Sequence, residues 1–159
     1  MEIHNDFNTS VEKALSEIDP KWRNLDGLIV CGTHSPDPEK AEMLIDRIQI
    51  ARETGQAFLG ICFGHQLAAI EYARNVLQMY DATSEEWGKG NFVVKKLPHL
   101  KVGLHEGESY WHNYEVDEFI LNNWEKPWNF ITMQFHPEYQ SSERHPHPLL
   151  VKFLTACGK

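Results

Sequence analysis

Cysteine, positive charge and long apolar runs are what this chain has least of. Three cysteines in 159 residues, with no metal-like pairing, exclude a disulfide framework and fit a reducing compartment, the cytoplasm. Lysine and arginine number 15 against 23 aspartates and glutamates, and the charge of −8 argues against nucleic acid or an anionic membrane as partner. No apolar run approaches the ~20 residues that a membrane span needs, and the polar, acidic start Met1-Glu2-Ile3-His4-Asn5-Asp6 does not read as a signal peptide. Glycine-rich phosphate loops, internal repeats and low-complexity tracts are absent too. What is there, 42% apolar residues in a mixed charge pattern, reads as one globular domain over residues 1–159.

The periodicity gives the order of elements. Thr9-Ser10-Val11-Glu12 has capping-box form, and Val11, Ala14, Leu15 and Ile18 follow at helical spacing until Asp19-Pro20. Leu28-Ile29-Val30 is the apolar run of a parallel strand covered on both faces. Asp37-Pro38-Glu39 opens a second helix with a buried stripe of Ala41, Leu44, Ile45, Ile48 and Ala51, closed by Thr54-Gly55. After Gly88-Lys89-Gly90, alternating runs predict strands over 91–97, 110–116 and 130–135, partly antiparallel, and a closing helix over 148–156. Strands alternating with helices predict an α/β three-layer domain with a mainly parallel central sheet. Ligands in such sheets bind at the carboxyl ends of the strands.

One of those ends is unusual. Phe58-Leu59-Gly60-Ile61-Cys62-Phe63-Gly64-His65-Gln66 runs from a short strand through a cysteine between two glycines straight into a helical pattern. That is the form of a nucleophile elbow, which exposes the Cys62 sulfur at the strand end. Gly60 and Gly64 fit a tight turn in which strand and helix approach closely. The helix N-terminus after Cys62 favours negative charge and so the reactive thiolate. Taken alone, Cys62 also reads as a buried core cysteine. Some seventy residues on, His136-Pro137-Glu138 places a histidine and a carboxylate on one side of an extended segment. By itself this is a turn with a solvated histidine. With the elbow it supplies a nucleophile, a base, and a group to hold the base in the right tautomer.

On these motifs the chain resembles class I glutamine amidotransferases, and within them the glutaminase domain of CTP synthases. The elbow and the helix of residues 66–77 match. Asp81-Ala82-Thr83-Ser84-Glu85-Glu86-Trp87 resembles the family's Asn-Ser-Thr-Glu-Phe, and His112-Asn113-Tyr114-Glu115-Val116 its Arg-His-Arg-Tyr-Glu-Val. Gln134-Phe135-His136-Pro137-Glu138-Tyr139, followed by Pro146-His147-Pro148-Leu149, matches the C-terminal signature. The resemblance implies a flavodoxin-like fold and glutamine hydrolysis by Cys62, His136 and Glu138, with no cofactor. It implies backbone oxyanion donors at Phe63 and Gly32, and contacts from Gln66 and Glu86 to the amino end of glutamine. Read without the family, Gln66 is a polar residue of a helix's first turn and Glu86 a solvated loop acid.

The departures matter as much. The family's Pro-Gly-Gly-Phe-Gly loop is here Cys31-Gly32-Thr33-His34-Ser35, with His34 in place of the aromatic lid. Asn113 stands where the family has the arginine that clamps the substrate carboxylate, a contact worth about 1.5–3 kcal/mol. His65 replaces a methionine and reads as a solvated helix residue or a specificity change. The strands that precede the first helix and Leu28 in the family are not recognisable, so the N-terminal side of the sheet is reduced and its open edge points to a homo-oligomer. A synthetase domain is absent as well, which implies a separate synthetase subunit. Glu85-Glu86 and residues 106–108 read as solvated surface, and Trp111, Trp124 and Trp128 as core or lid. His145 and His147 show no convergent metal spacing, so no metal is expected. Beside the glutaminase reading stand a catalytically degenerate binding or regulatory module and a cysteine hydrolase acting on another amide or γ-glutamyl substrate.

Overall fold

The computed structural model describes residues 1–158. Its elements run β1 Glu2–His4, α1 Asn8–Ile18, a 3-10 turn Trp22–Asn24, β2 Leu28–Val30, α2 Pro38–Thr54, β3 Phe58–Ile61 and α3 Phe63–Asn75. There follow β4 Ala82–Ser84, β5 Asn91–His105, β6 Glu108–Val116, α4 Glu118–Asn123, β7 Phe130–Met133, a second 3-10 turn Pro137–Tyr139, and α5 Pro148–Cys157. Strands β1-β2-β3-β7 form a parallel sheet in that order, and β4-β5-β6 a second sheet whose last pair is antiparallel.

Alternation along the central strands makes the layers. Leu28, Val30 and Phe58 face a core shared with α2 and α3, whereas Ile29, Leu59 and Ile61 face one shared with α1 and α5. The helix boundaries follow local chemistry. Asp37 caps α2 by accepting from the Glu39 N–H, Pro38 takes the first position, and Gly55 closes the helix at φ 72°. Between the helices of one layer, Arg52 of α2 donates three hydrogen bonds of 2.7–3.0 Å to the buried Glu71 of α3.

Several expectations are corrected. An N-terminal strand does exist: β1 pairs with β2 along its whole three-residue length. Its sequence hid it because an edge strand need bury only one face. Ile3 packs on the α1/α5 core, while Glu2 accepts from Arg47 at 2.8 Å and from His4 at 2.7 Å. No strand stands between α1 and β2, where the chain forms the 3-10 turn instead. The capping box is not used. Helix α1 begins at Asn8, one residue before Thr9, its N-cap is Phe7, and no side chain caps it. The strand expected over 91–97 continues to His105, because a register shift between Lys96 and Lys101 absorbs Pro98. Its partner starts at Glu108, two residues early, and the strand expected over 130–135 ends at Met133. Glu108 is no solvated tip residue: it accepts from His147 Nε2 at 3.0 Å. That bond, with the Leu149 N–H donated to His147 Nδ1, assigns the Pro-rich histidine segment to capping α5. Among the described residues no helix is long and apolar enough to cross a membrane.

Candidate active site

Strand β3 delivers Cys62 to the carboxyl end of the central sheet, and α3 starts at once behind it. Cys62 sits at φ 55° and ψ −103°, a conformation rare for a residue with a Cβ and costing on the order of 1–3 kcal/mol. The glycines around it are spatial necessities. A Cβ on Gly64 would overlap the Val30 carbonyl oxygen, and one on Gly60 would meet the Gly64 backbone at 3.0 Å. As the first residue of α3, Phe63 has an N–H with no intrahelical acceptor. The Cys62 sulfur lies 3.5 Å from Gln134 Nε2 and 3.9 Å from the Trp111 carbonyl oxygen.

Just beyond β7, His136 and Glu138 flank Pro137, both buried. The Nδ1–H of His136 donates to Glu138 Oε1 at 2.7 Å, which leaves Nε2 for Cys62. Burial alone would make the imidazole a weaker base. Hydrogen bonds to Cys62 and Glu138, with their charges, outweigh it and raise the group to about 10. Tyr139 stacks on the ring at 5.0 Å, and the His136 N–H donates to the Ser109 carbonyl at 2.7 Å, fastening this segment to β6.

The sulfur and the imidazole open into a cavity of about 170 Å³. Gln66, Glu86, Asn113, His34 and Phe63 all line it, so the residues expected to bind substrate converge on Cys62 and His136. Gly32 lies beneath, where a Cβ would sit 3.5 Å from the His136 ring and 3.7 Å from Cys62 Cβ. The loop of Gly32 and Thr33 needs no positive φ here. Asp6 accepts from the Thr33 hydroxyl at 2.7 Å and from the His34 N–H at 2.9 Å. These bonds outweigh burial and keep the Asp6 carboxyl below its usual range. His34, in the lid position, packs at 4.2 Å on Phe7 and edge-on to Trp111 at 5.5 Å. Trp111 is thus lid rather than core, and Trp124 packs on the α2/α3 core.

Other placements differ from expectation. His65 is fully buried, its Nδ1 3.0 Å from Thr132 Oγ1 and its ring 5.4 Å from Trp124. It does not line the cavity but packs behind the elbow. Burial and the neighbouring charge of Lys126 push its pKa down to about 3. Glu86 is a half-buried wall residue, and burial raises its carboxyl above the ordinary range. Sequence reasoning missed Asp6, Phe7 and Leu100, which no motif marks. It also passed over His112, a buried wall residue with no hydrogen-bond partner for either ring nitrogen among the described residues. Alternation along 110–116 would have placed His112 inward.

The fold and this Cys-His-Glu arrangement define an α/β amidotransferase-type domain. A family model for class-I glutamine amidotransferases matches residues 4–126, and the chain belongs to that family. The match includes Cys62 and stops before His136. Among curated relatives, the CTP synthase of Thermomicrobium roseum is 29% identical over 92% of this chain and 35% of its own length. That of Methanoculleus marisnigri is 30% identical over 86% of this chain and 34% of its own. The chain therefore spans about a third of the length of these relatives. In fold it is similar to the glutaminase domain of Trypanosoma brucei CTP synthase, solved with bound acivicin. The TM-score is 0.76 at 19% identity, over 99% of this chain and 94% of that one.

Proposed function

We propose that this chain is a cysteine hydrolase that releases ammonia from the side-chain carboxamide of L-glutamine and closely similar amides. One observation carries the reading: His136 bonds Glu138 through Nδ1 and shares with Cys62 the lining of a cavity of substrate size. The Cys62 thiolate attacks the carboxamide carbon, and the oxyanion is held by the N–H groups of Phe63 and Gly32. One such donor is typically worth about 3 kcal/mol in rate. His136 passes its proton to the departing nitrogen, ammonia leaves, and an acyl thioester remains on Cys62. Water, deprotonated by His136, then cleaves the thioester, giving a carboxylate and regenerating the thiol.

The chain spans about a third of its relatives' length, and we assign the use of the ammonia to a synthetase partner, in pyrimidine biosynthesis. Its cysteines, all free, suit the cytoplasm. Ammonia release from millimolar L-glutamine and 4-aminobutanamide, wild type beside Cys62→Ala, tests the chemistry. Wild-type release, lost in the mutant by a factor of roughly 10³ or more, is the expected outcome. Release equal in both would end the hydrolase reading. None from a folded wild type would favour the degenerate binding module, which the altered Thr33, His34 and Asn113 already suggest.

A further inference from the structure

The walls of the cavity are chemically one-sided. Its polar lining comprises Glu86, Gln66, Asn113, Thr33, Tyr114 and three histidines, and among the described residues no lysine or arginine lines it. Glu86 is half-buried there, and among the described residues no side-chain hydrogen bond or ion pair engages its carboxylate. Gln66 is oriented by its own bonds. Its amide nitrogen donates to the Tyr114 carbonyl at 2.9 Å and to Gln134 Oε1 at 3.3 Å, so its oxygen remains as an acceptor. Two acceptors, one of them anionic, suit an ammonium group.

Nothing comparable receives a carboxylate. On β6 the wall position between His112 and Tyr114 holds Asn113, exposed and uncharged. His112 beside it is buried, and burial together with the charges of Lys101, His136 and His105 pushes its pKa down to about 4. At neutral pH it is a neutral ring. His34 packs against Phe7 and Trp111 at the rim, and His136 is committed to Cys62 and Glu138. A free carboxylate entering this cavity would lose its hydration beside Glu86 with no cation in return.

We propose that the preferred substrate is an ω-amino carboxamide: a primary amide whose far end carries an amine, set against Glu86 and Gln66, and no carboxylate. This rests on the hydrolase reading of the same cavity. The reaction is the one above, so Cys62 carries an aminoacyl thioester, and water yields the ω-amino acid and ammonia.

Three primary amides separate the contributions: 4-aminobutanamide has the amine alone, L-glutamine has both groups, and glutaramate has the carboxylate alone. With the full chain, kcat/KM for ammonia release is expected to fall in that order, the first exceeding glutamine by about tenfold or more. Glu86→Gln should lower kcat/KM for 4-aminobutanamide about tenfold or more relative to that for glutaramate. Asn113→Arg, on an exposed position that tolerates the longer side chain, should reverse the order of the first two. Circular dichroism verifies that both variants are folded. Glutamine turned over as well as 4-aminobutanamide by the wild type would overturn this inference and leave the hydrolase standing. So would an Asn113→Arg variant with unchanged preference. Release from none of the three would overturn both.

Discussion

His136 keeps its proton because two partners hold it. Burial opposes the charge, but the bonds to Cys62 and Glu138 prevail and lift the group from 6.5 to about 10. A base whose folded pKa is raised stabilises the folded state fully below its unfolded value. That contribution is lost as pH rises through about 10. The ring Cε1–H resonance should therefore stay at its imidazolium position from about pH 6 to about pH 9. In Glu138→Gln it should move back toward the ordinary histidine range, and turnover should drop by roughly 10⁴, since an amide donor at Nδ1 enforces the wrong tautomer. A titration midpoint near 6.5 in the wild type would show that the pair is not formed in solution.

The elbow works only as a joint of three elements. Helix α3 approaches β2 so closely that Gly64 has the Val30 carbonyl oxygen where a Cβ would be. Gly64→Ala must push α3 off the sheet, and both sides of the clash are backbone, so no rotamer relieves it. We expect a loss of about 3 kcal/mol or more in urea unfolding, with the Cys62 to His136 alignment lost before the fold. A wild-type midpoint would disprove the close approach. This joint was legible in sequence because a cysteine between glycines, at the switch from strand to helix pattern, suits few backbone geometries besides an elbow. The same holds for α2, whose proline, cap and glycine mark both ends. By contrast β1 was illegible: three half-buried residues on an edge carry no period. The full β5/β6 hairpin was hidden too, since Pro98 and Gly103 break the alternation that the bulge then repairs. Glu108 and His147 show the same limit, as their pairing joins residues 39 apart in sequence.

Taken whole, the molecule is acidic, with a charge of −8, yet it buries two neutral histidines in its interior. His65 is the deeper. Burial, then the charge of Lys126, push it to about 3 from 6.5. His112 is held near 4 by burial and by Lys101, His136 and His105. Their sign is opposite to that of His136. A group whose folded pKa is depressed costs nothing above its unfolded value. Below it the unfolded chain takes up protons that the native state refuses, so stability drains as pH falls from 6.5 toward 3. Sequence periodicity could not foresee this for His65. Its burial depends on Trp124 and Thr132, which the chain brings together from about sixty residues away. The substitution His65→Met removes the titrating group, and Thr132 Oγ1 keeps the bond donated by Lys126 at 3.1 Å. Near neutral pH the variant should differ little from the wild type. Between about pH 6 and about pH 4 its unfolding free energy should fall less steeply, the gap reaching on the order of a few kcal/mol. Parallel curves across that range would mean that His65 takes up its proton in the folded state, and that the wall behind the elbow is wetter than its packing implies.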